Sequence, residues 1–267
     1  MSGWKTVLIV LFTVVAVLVL IVALPWTPGL TIGPLVIGSG QVVADELPFE
    51  GFSKVKVSNA IEVEITRADD YSVTITGYEN LVQRMDVGLS GQELTIRLTP
   101  GTYLRNNIKA IVTMPNLSGL TASGASRATA TAFTSTAGLE LEASGASRVS
   151  IDLEAGNTIA DISGASRLTG TLRAQDLRLK VSGASNCQLT GTAGHIALDV
   201  SGASDVNLLE LPVQNVDADI SGASRVTLNM NGTLNLDLSG ASRLRYTGDI
   251  DPGSTLNISG ASTMSRL

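Results

Sequence analysis

The sequence predicts an all-β protein: a single-stranded β-helix or β-solenoid with coils of about 19–20 residues, preceded by one amino-terminal transmembrane helix. Three observations carry the solenoid. The phrase Ser-Gly-Ala-Ser recurs with copies starting at Ser123, Ser144, Ser163, Ser182, Ser201, Ser221, Ser239 and Ser259, at spacings of 21, 19, 19, 19, 20, 18 and 20 residues. The residue before each copy is apolar (Ala122, Ala143, Ile162, Val181, Val200, Ile220, Leu238, Ile258), and so, or small, is the residue two places after its last Ser (Ala128, Val149, Leu168, Cys187, Val206, Val226, Leu244, Met264). Around these anchors runs a period-two alternation, as in Leu139-Glu140-Leu141-Glu142, which puts one strand face inward and the other outward. No window of the repeat offers a 3.6-residue apolar stripe of helical length.

Coil geometry follows from strand dimensions. A coil of ~19 residues at ~3.3 Å each has a perimeter of roughly 60 Å, which suits three short strands with corners. Stacking at ~4.8 Å makes the eight copies a rod about 35 Å long. Gly supplies the unusual corner angles, Ala and Ser are small enough to crowd there, and the Ser hydroxyls are placed to form a ladder. Which Ser of each phrase points inward is left open by the pattern.

In chain order, residues 1–6 form a short amino terminus and Val7–Leu24 an apolar run broken only by Thr13. That length spans a bilayer core, with Trp4 and Trp26 at interface depth. A secretory signal is the rival reading, but Pro25-Trp26-Thr27-Pro28 follows and no small-x-small cleavage site appears. Lys5, the sole flanking charge, places the amino terminus in the cytoplasm and the rest of the chain outside, a single-pass protein of the cell membrane. Residues 25–40, rich in Pro and Gly, read as a linker. Residues 41–115 alternate without the phrase, with candidate strands Lys54–Ser58, Ile61–Thr66, Ser72–Thr76, Met85–Leu89, Leu94–Leu98 and Ile108–Met114. They read as an irregular region capping the amino-terminal end of the rod, which residues 116–267 build.

Gly38-Ser39-Gly40, Phe52-Ser53-Lys54-Val55-Lys56-Val57, Gly77-Tyr78-Glu79-Asn80-Leu81 and the serial Ser-Gly-Ala-Ser phrases resemble the bacterial and archaeal family called putative autotransporter adhesin, head GIN domain. The resemblance covers residues 38–267. It implies an all-β, helix-like solenoid carried by cell-envelope proteins, and it brings no catalytic motif.

Composition narrows the function classes. Apolar content of 44% fills a core, and the shortage of aromatics, 4%, suits a narrow interior of Val, Ile, Leu and Ala. A net charge of −6 with pI near 4.8 leaves no basic face for nucleic acid. Cys187, the single cysteine, occupies the position of Val or Leu in other repeats and reads as a buried small hydrophobe. His195 has no second His with which to build a metal or base site. No cofactor is implied.

Motif matches dissolve on context. Gly38-x-Gly40 lacks the third glycine and the helix of a dinucleotide fingerprint. Ser53-x-x-Lys56 matches a penicillin-binding nucleophile motif, but alternating strand sequence cannot place that Lys one helical turn on. Gly-Ala-Ser lacks the closing Gly of a nucleophile elbow, and Asp69-Asp70 reads as a turn.

Two charge ladders remain. After the phrase come Arg127, Arg148, Arg167, Asn186, Asp205, Arg225, Arg243 and Thr263; two places before it come Thr121, Glu142, Asp161, Lys180, Asp199, Asp219, Asp237 and Asn257. Such ladders keep a rod soluble and stop lateral strand pairing. Alternatively, Arg127, Arg148, Arg167, Arg225 and Arg243 form a face for a polyanionic glycan or envelope polymer.

The leading functional expectation is a non-enzymatic, membrane-anchored module for adhesion or envelope assembly. The alternative is a carbohydrate-active β-helix enzyme, which lacks its aromatic sugar platforms here; an ice-binding rod would need Thr in register. Few residues follow the last phrase, so the carboxy-terminal coil is expected to expose strand edges and to meet a second chain or a partner's strand.

Overall fold

The computed structural model describes residues 33–267. Val7–Leu24, expected to cross the membrane, lies outside the described residues. Among those described, no helix is long and apolar enough to cross one.

The amino-terminal part comprises strands β1 (Leu35–Ile37), β2 (Val42–Leu47), β3 (Lys54–Val57), β4 (Glu62–Arg67) and β5 (Ser72–Tyr78) and a single helical turn, α1 (Glu79–Val82). Strands β6 (Met85–Ser90), β7 (Glu93–Leu98), β8 (Thr102–Leu104) and β9 (Lys109–Met114) complete it. The repeat region then lays down two strands per coil. One set is β10 (Gly119–Ala122), β12 (Leu139–Ala143), β14 (Thr158–Ile162), β16 (Asp176–Val181), β18 (His195–Val200), β20 (Asn215–Ile220), β22 (Leu234–Leu238) and β24 (Thr255–Ile258). Interleaved with it are β11 (Arg127–Thr134), β13 (Arg148–Ala155), β15 (Arg167–Ala174), β17 (Asn186–Thr192), β19 (Asp205–Val213), β21 (Arg225–Met230), β23 (Arg243–Thr247) and β25 (Thr263–Arg266).

Even-numbered strands from β10 to β24 stack into one parallel sheet, and odd-numbered strands from β11 to β25 into another. The all-β solenoid is thus as expected, but its coil has two strands rather than three. The residues allotted to a third side lengthen the odd-numbered strands instead. Those strands accommodate the extra length by irregularity: the register shifts between Thr131 and Phe133 and between Leu208 and Pro212, and Gly170 sits mid-strand at φ 133.

Strands β3 and β4 pair in parallel with β10 and β11, so the first coil lies ahead of the first Ser-Gly-Ala-Ser phrase. Among the described residues, antiparallel pairing occurs only beyond it, in β6–β7, β5–β9 and β2–β5. Each of the six expected strands of this region is present, with ends moved by no more than two residues. Leu35–Ile37, expected within a linker, is a strand paired with Thr102–Leu104, because its alternating apolar residue Val36 finds the core.

The core is a stack of rows. Val55, Leu120, Leu141, Ala160, Leu179, Leu198, Ala218 and Leu236 are successive partners on one sheet; Val63, Ala128, Val149, Leu168, Cys187, Val206, Val226 and Leu244 are on the other. All are buried. Burying each Val or Leu contributes ~1.5–3 kcal/mol, so these rows of aliphatic residues hold a narrow interior together.

Every Ser-Gly-Ala-Ser is the corner leading from an even-numbered strand to an odd-numbered one. Its Gly has positive φ in every copy, from 60 at Gly124 to 76 at Gly183, and an added Cβ at Gly183 would strike the carbonyl oxygen of Gly164 in the preceding coil. That carbonyl accepts the Ala184 N–H at 2.8 Å, and the bond repeats as Ala203 to Gly183 at 2.8 Å and Ala223 to Gly202 at 2.7 Å. Gly and Ala are exposed, and the last Ser is the one that points inward: Ser147, Ser166, Ser185, Ser204, Ser224 and Ser242 are all buried. Their hydroxyls accept backbone N–H groups from the preceding coil, as Ser166 to Ser185 Oγ at 3.4 Å, or donate within the corner, as Ser204 Oγ to Ser201 O at 2.9 Å. Ser126 is the exception. Its corner carries a second positive φ, at Ala125 (67), and its buried Oγ has no hydrogen-bond partner among the described residues.

Gly183→Val is expected to destabilise the domain by about 3 kcal/mol or more, from backbone strain together with the carbonyl clash. Gly253→Ala, where an added Cβ meets nothing within 4 Å, serves as the control in the same chemical denaturation series. Equal midpoints for the two variants would refute the corner geometry.

The Ser row yields a sharper contrast. Ser204→Ala loses a hydrogen bond and should cost about 1 kcal/mol, whereas Ser126→Ala removes an unpaired buried hydroxyl and should be neutral or stabilising. Thermal melts of the two single variants check the sign of that difference.

Candidate functional site

The outward residues of the two sheets are stacked by the same pairing that stacks the core. Arg127, Arg148 and Arg167 are successive partners, followed by Asn186, Asp205, Arg225, Arg243 and Thr263, all at the first position after the corner. The structure therefore brings the five expected arginines onto one row but divides them, three in a run and two beyond Asp205. All five are exposed. Arg127 Nη1 lies 3.2 Å from Glu62 Oε2 in the first coil. Among the described residues, the other four have no carboxylate within 4.0 Å.

At the far end of the row Arg225 and Arg243 are joined by Arg245, with Thr227 and Asp205, around a shallow pocket of about 250 Å³. Arg245 was absent from the sequence expectation. Period two from Arg243 puts it on the same face, so alternation was the signal that could have found it.

The acidic ladder is equally in register. Thr121, Glu142, Asp161, Lys180, Asp199, Asp219, Asp237 and Asn257 are successive partners on the even-numbered sheet. Lys180 interrupts it and lies 3.9 Å from Asp199. A second outward row runs beside it, in which Asp217 accepts a 2.7 Å hydrogen bond from Asn235 and lies 3.5 Å from His195 Nε2. Together these rows line a groove of about 680 Å³ on the outer face, with Arg178 and Lys180 towards the amino end and Asp219 and Asp237 towards the carboxy end.

The two ladders flank one corner, so the edge of the rod formed by the Ser-Gly-Ala-Ser turns carries a mainly cationic line on one side and a mainly anionic line on the other. Neither run of one sign exceeds three before a residue of opposite sign or no charge breaks it. At ~4.8 Å, neighbouring like charges repel by about 1 kcal/mol in water, less with salt, so short runs limit the accumulated cost.

Two further titratable groups are displaced from their ordinary values. Lys109, in the row of Glu62, is raised, first by its hydrogen bond to Glu64; desolvation opposes this next, and the charges of Glu64 and then Glu62 add to the rise. Cys187 is a free, buried thiol that desolvation pushes up to about 12. A thiol so placed is a packing residue, with almost no thiolate to act as a nucleophile. Among the described residues, no group of three or more His, Cys, Asp or Glu is arranged to hold a metal ion.

Coil geometry and outward rows together define a class of protein, a β-solenoid that presents repeated polar rows along a rod. Within that class the chain belongs to the family described as putative auto-transporter adhesin, head GIN domain, which matches residues 51–249. Three solved structures share the fold. A putative adhesin from Parabacteroides merdae is 18% identical with a TM-score of 0.77, covering 88% of this chain and 100% of its own. A putative lipid binding protein from Parabacteroides distasonis is 14% identical with a TM-score of 0.78, covering 87% and 99%. A putative adhesin from Bacteroides fragilis is 18% identical with a TM-score of 0.64, covering 87% and 100%. At these identities the likeness is one of fold. No curated protein matches the sequence.

The arginine row is expected to contribute little to folding. Replacing Arg127, Arg148 and Arg167 together by Gln should change unfolding free energy by no more than about 1 kcal/mol, because relief of repulsion offsets loss of the exposed Arg127–Glu62 pair. Denaturation at low and high salt checks this; the difference from the parent should shrink as salt rises.

Proposed function

We propose that the chain is a non-enzymatic, membrane-anchored extracytoplasmic rod of the cell membrane that binds a polyanionic glycan or envelope polymer along its arginine row. The observation that supports this reading is the register of the row itself. Arg127, Arg148 and Arg167 stack as neighbours, and Arg225, Arg243 and Arg245 gather around one pocket. A linear polymer laid along the rod meets these guanidinium groups in succession, and Arg suits carboxylate or sulfate oxygens because its planar fork donates in pairs. Adhesin-like family membership points the same way, away from catalysis.

Anchoring rests on the apolar length of Val7–Leu24. Self-association through the carboxy-terminal coil belongs to the same reading: β24 and β25 are the last strands of their sheets, with Leu256, Ile258 and Leu267 exposed. The lipid-binding description of the Parabacteroides distasonis protein has a physical limit here, since the solenoid interior is filled with side chains and a lipid would have to meet an outer surface.

The test is a glycan array probed with the full chain in detergent, with acidic polysaccharides also screened for cleavage. Acidic glycans should bind with an affinity that falls as salt rises. Replacing Arg225, Arg243 and Arg245 by Gln should weaken binding about tenfold or more, on the scale of losing ~1.5–3 kcal/mol per charge-assisted hydrogen bond. Binding unaffected by that change and by the Arg127/Arg148/Arg167 change would return both rows to the role of solvated faces. Chain shortening of a polysaccharide would restore the enzyme reading.

A further inference from the structure

The amino-terminal end of the rod carries an apolar surface that the described residues leave uncovered. Among the described residues, strands β1 and β8 pair only with each other and join neither large sheet. Their register sets Leu35 against Thr102, Val36 against Tyr103 and Ile37 against Leu104. Alternation then divides the small sheet cleanly. Val36 and Tyr103 turn to the core, while Leu35, Ile37 and Leu104 stand outward at 63%, 51% and 49% exposure. Three large aliphatic side chains on so small a sheet are a concentrated patch, unlike single surface hydrophobes. Arg105 follows at its edge, its guanidinium 5.5 Å from the Tyr78 ring centre and donating to the Tyr78 hydroxyl at 3.2 Å.

Position says what meets this patch. The apolar run Val7–Leu24 ends only 11 residues before Leu35. Fully extended, that length reaches roughly 40 Å, and Pro25, Pro28 and Pro34 within it restrict the path. The patch is therefore the end of the rod held near the bilayer, whereas β24 and β25 lie at the opposite end of both sheets.

We infer that Leu35, Ile37 and Leu104 rest in the interface of the membrane that anchors the chain, seating the rod on its amino-terminal end. The inference rests on the anchored reading above. Three aliphatic side chains would hold a free protein to a bilayer only weakly, as a single short acyl chain does. Tethering changes that, because the second contact is intramolecular and its effective concentration reaches the millimolar range. Arg105 at the rim suits a phosphate-level position, with its stem along apolar surface and its head in the polar layer. The two-point attachment, span plus patch, fixes the tilt of the rod and directs the polar rows away from the lipid.

The test uses the full chain in phosphatidylcholine nanodiscs. Ile37→Cys, Leu104→Cys and Leu256→Cys each carry an environment-sensitive fluorophore; Cys187, buried with its thiol pushed up to about 12, does not compete for the label. Unchanged thermal melts establish that each labelled chain is folded. Nitroxide-bearing lipids should quench positions 37 and 104 several-fold more than position 256, and replacing Leu35 by Ser should reduce quenching at both. Equal quenching at the three positions, with the chain retained in the discs, overturns the seating and leaves the anchor standing. Protection of positions 37 and 104 from aqueous iodide without lipid quenching would also overturn it, since residues 1–32 or a second copy would then cover the patch. A chain that fails to remain with the discs overturns the anchored reading, and the seating with it.

Discussion

The structure depends on one backbone contact repeated from coil to coil: the carbonyl of a left-handed Gly accepting the N–H of the Ala in the next corner, as between Gly164 and Ala184 at 2.8 Å. The Gly conformation is needed for the turn, and the absence of a side chain is needed for the coil above to approach. Either requirement alone would favour Gly; together they exclude every other residue. Once the corners are stacked at that distance, both sheets inherit their register. Core rows such as Val149–Leu168–Cys187–Val206 follow from it without further specification. The buried Ser completes the corner by taking up backbone groups that the tight turn would leave unpaired.

Much of this was legible because a repeat multiplies a weak local signal. One Ser-Gly-Ala-Ser says little, but eight in register fix the period, and the period fixes which residues are neighbours in space. For that reason the charge ladders could be written down residue by residue. The number of strands per coil was not legible, since perimeter alone does not distinguish three short sides from one short strand and one long irregular one. Gly170, mid-strand at φ 133, is the kind of position that decides the matter. Outside the repeat the signal was thinner. Leu35–Ile37 reads as linker in the sequence because its partner, Thr102–Leu104, is 67 residues further on and no turn announces it. Arg245 lies outside the repeat signal because it occupies the second outward place of its strand rather than the ladder position next to the corner.

The corner also separates structure from surface. Nothing in the Gly–Ala contact, the Ser row or the apolar rows constrains the sign of the outward residues, and the ladder uses that freedom. It moves from Arg167 through Asn186 to Asp205 and back to Arg225 without disturbing any core partner. Charge pattern is thus tunable coil by coil, limited only by the repulsion that accumulates in a run of one sign. A rod of this kind acquires binding specificity by rewriting exposed positions, which is why the fold it shares with its structural neighbours at 14–18% identity says little about ligand.

A stacked rod has two ends that its own periodicity cannot finish, and the ends of this one are treated differently. At the amino end the chain abandons the parallel coil: β5 and β6 reverse direction, β2 adds a further antiparallel strand, and Phe52, Leu81 and Met114 fill the space beneath. That arrangement ends the two sheets in β6 and β2 and leaves the outer face of β1 and β8 apolar. At the other end the two sheets stop in register, with β24 exposed along its whole length. The aliphatic side chains of that face gain by removal from water, a non-directional effect. An edge with unpaired backbone groups suits another strand, which offers little else. The two ends therefore differ in what they present, apolar side chains at one and a strand edge at the other, and this gives the rod a polarity that its nearly uniform coils do not.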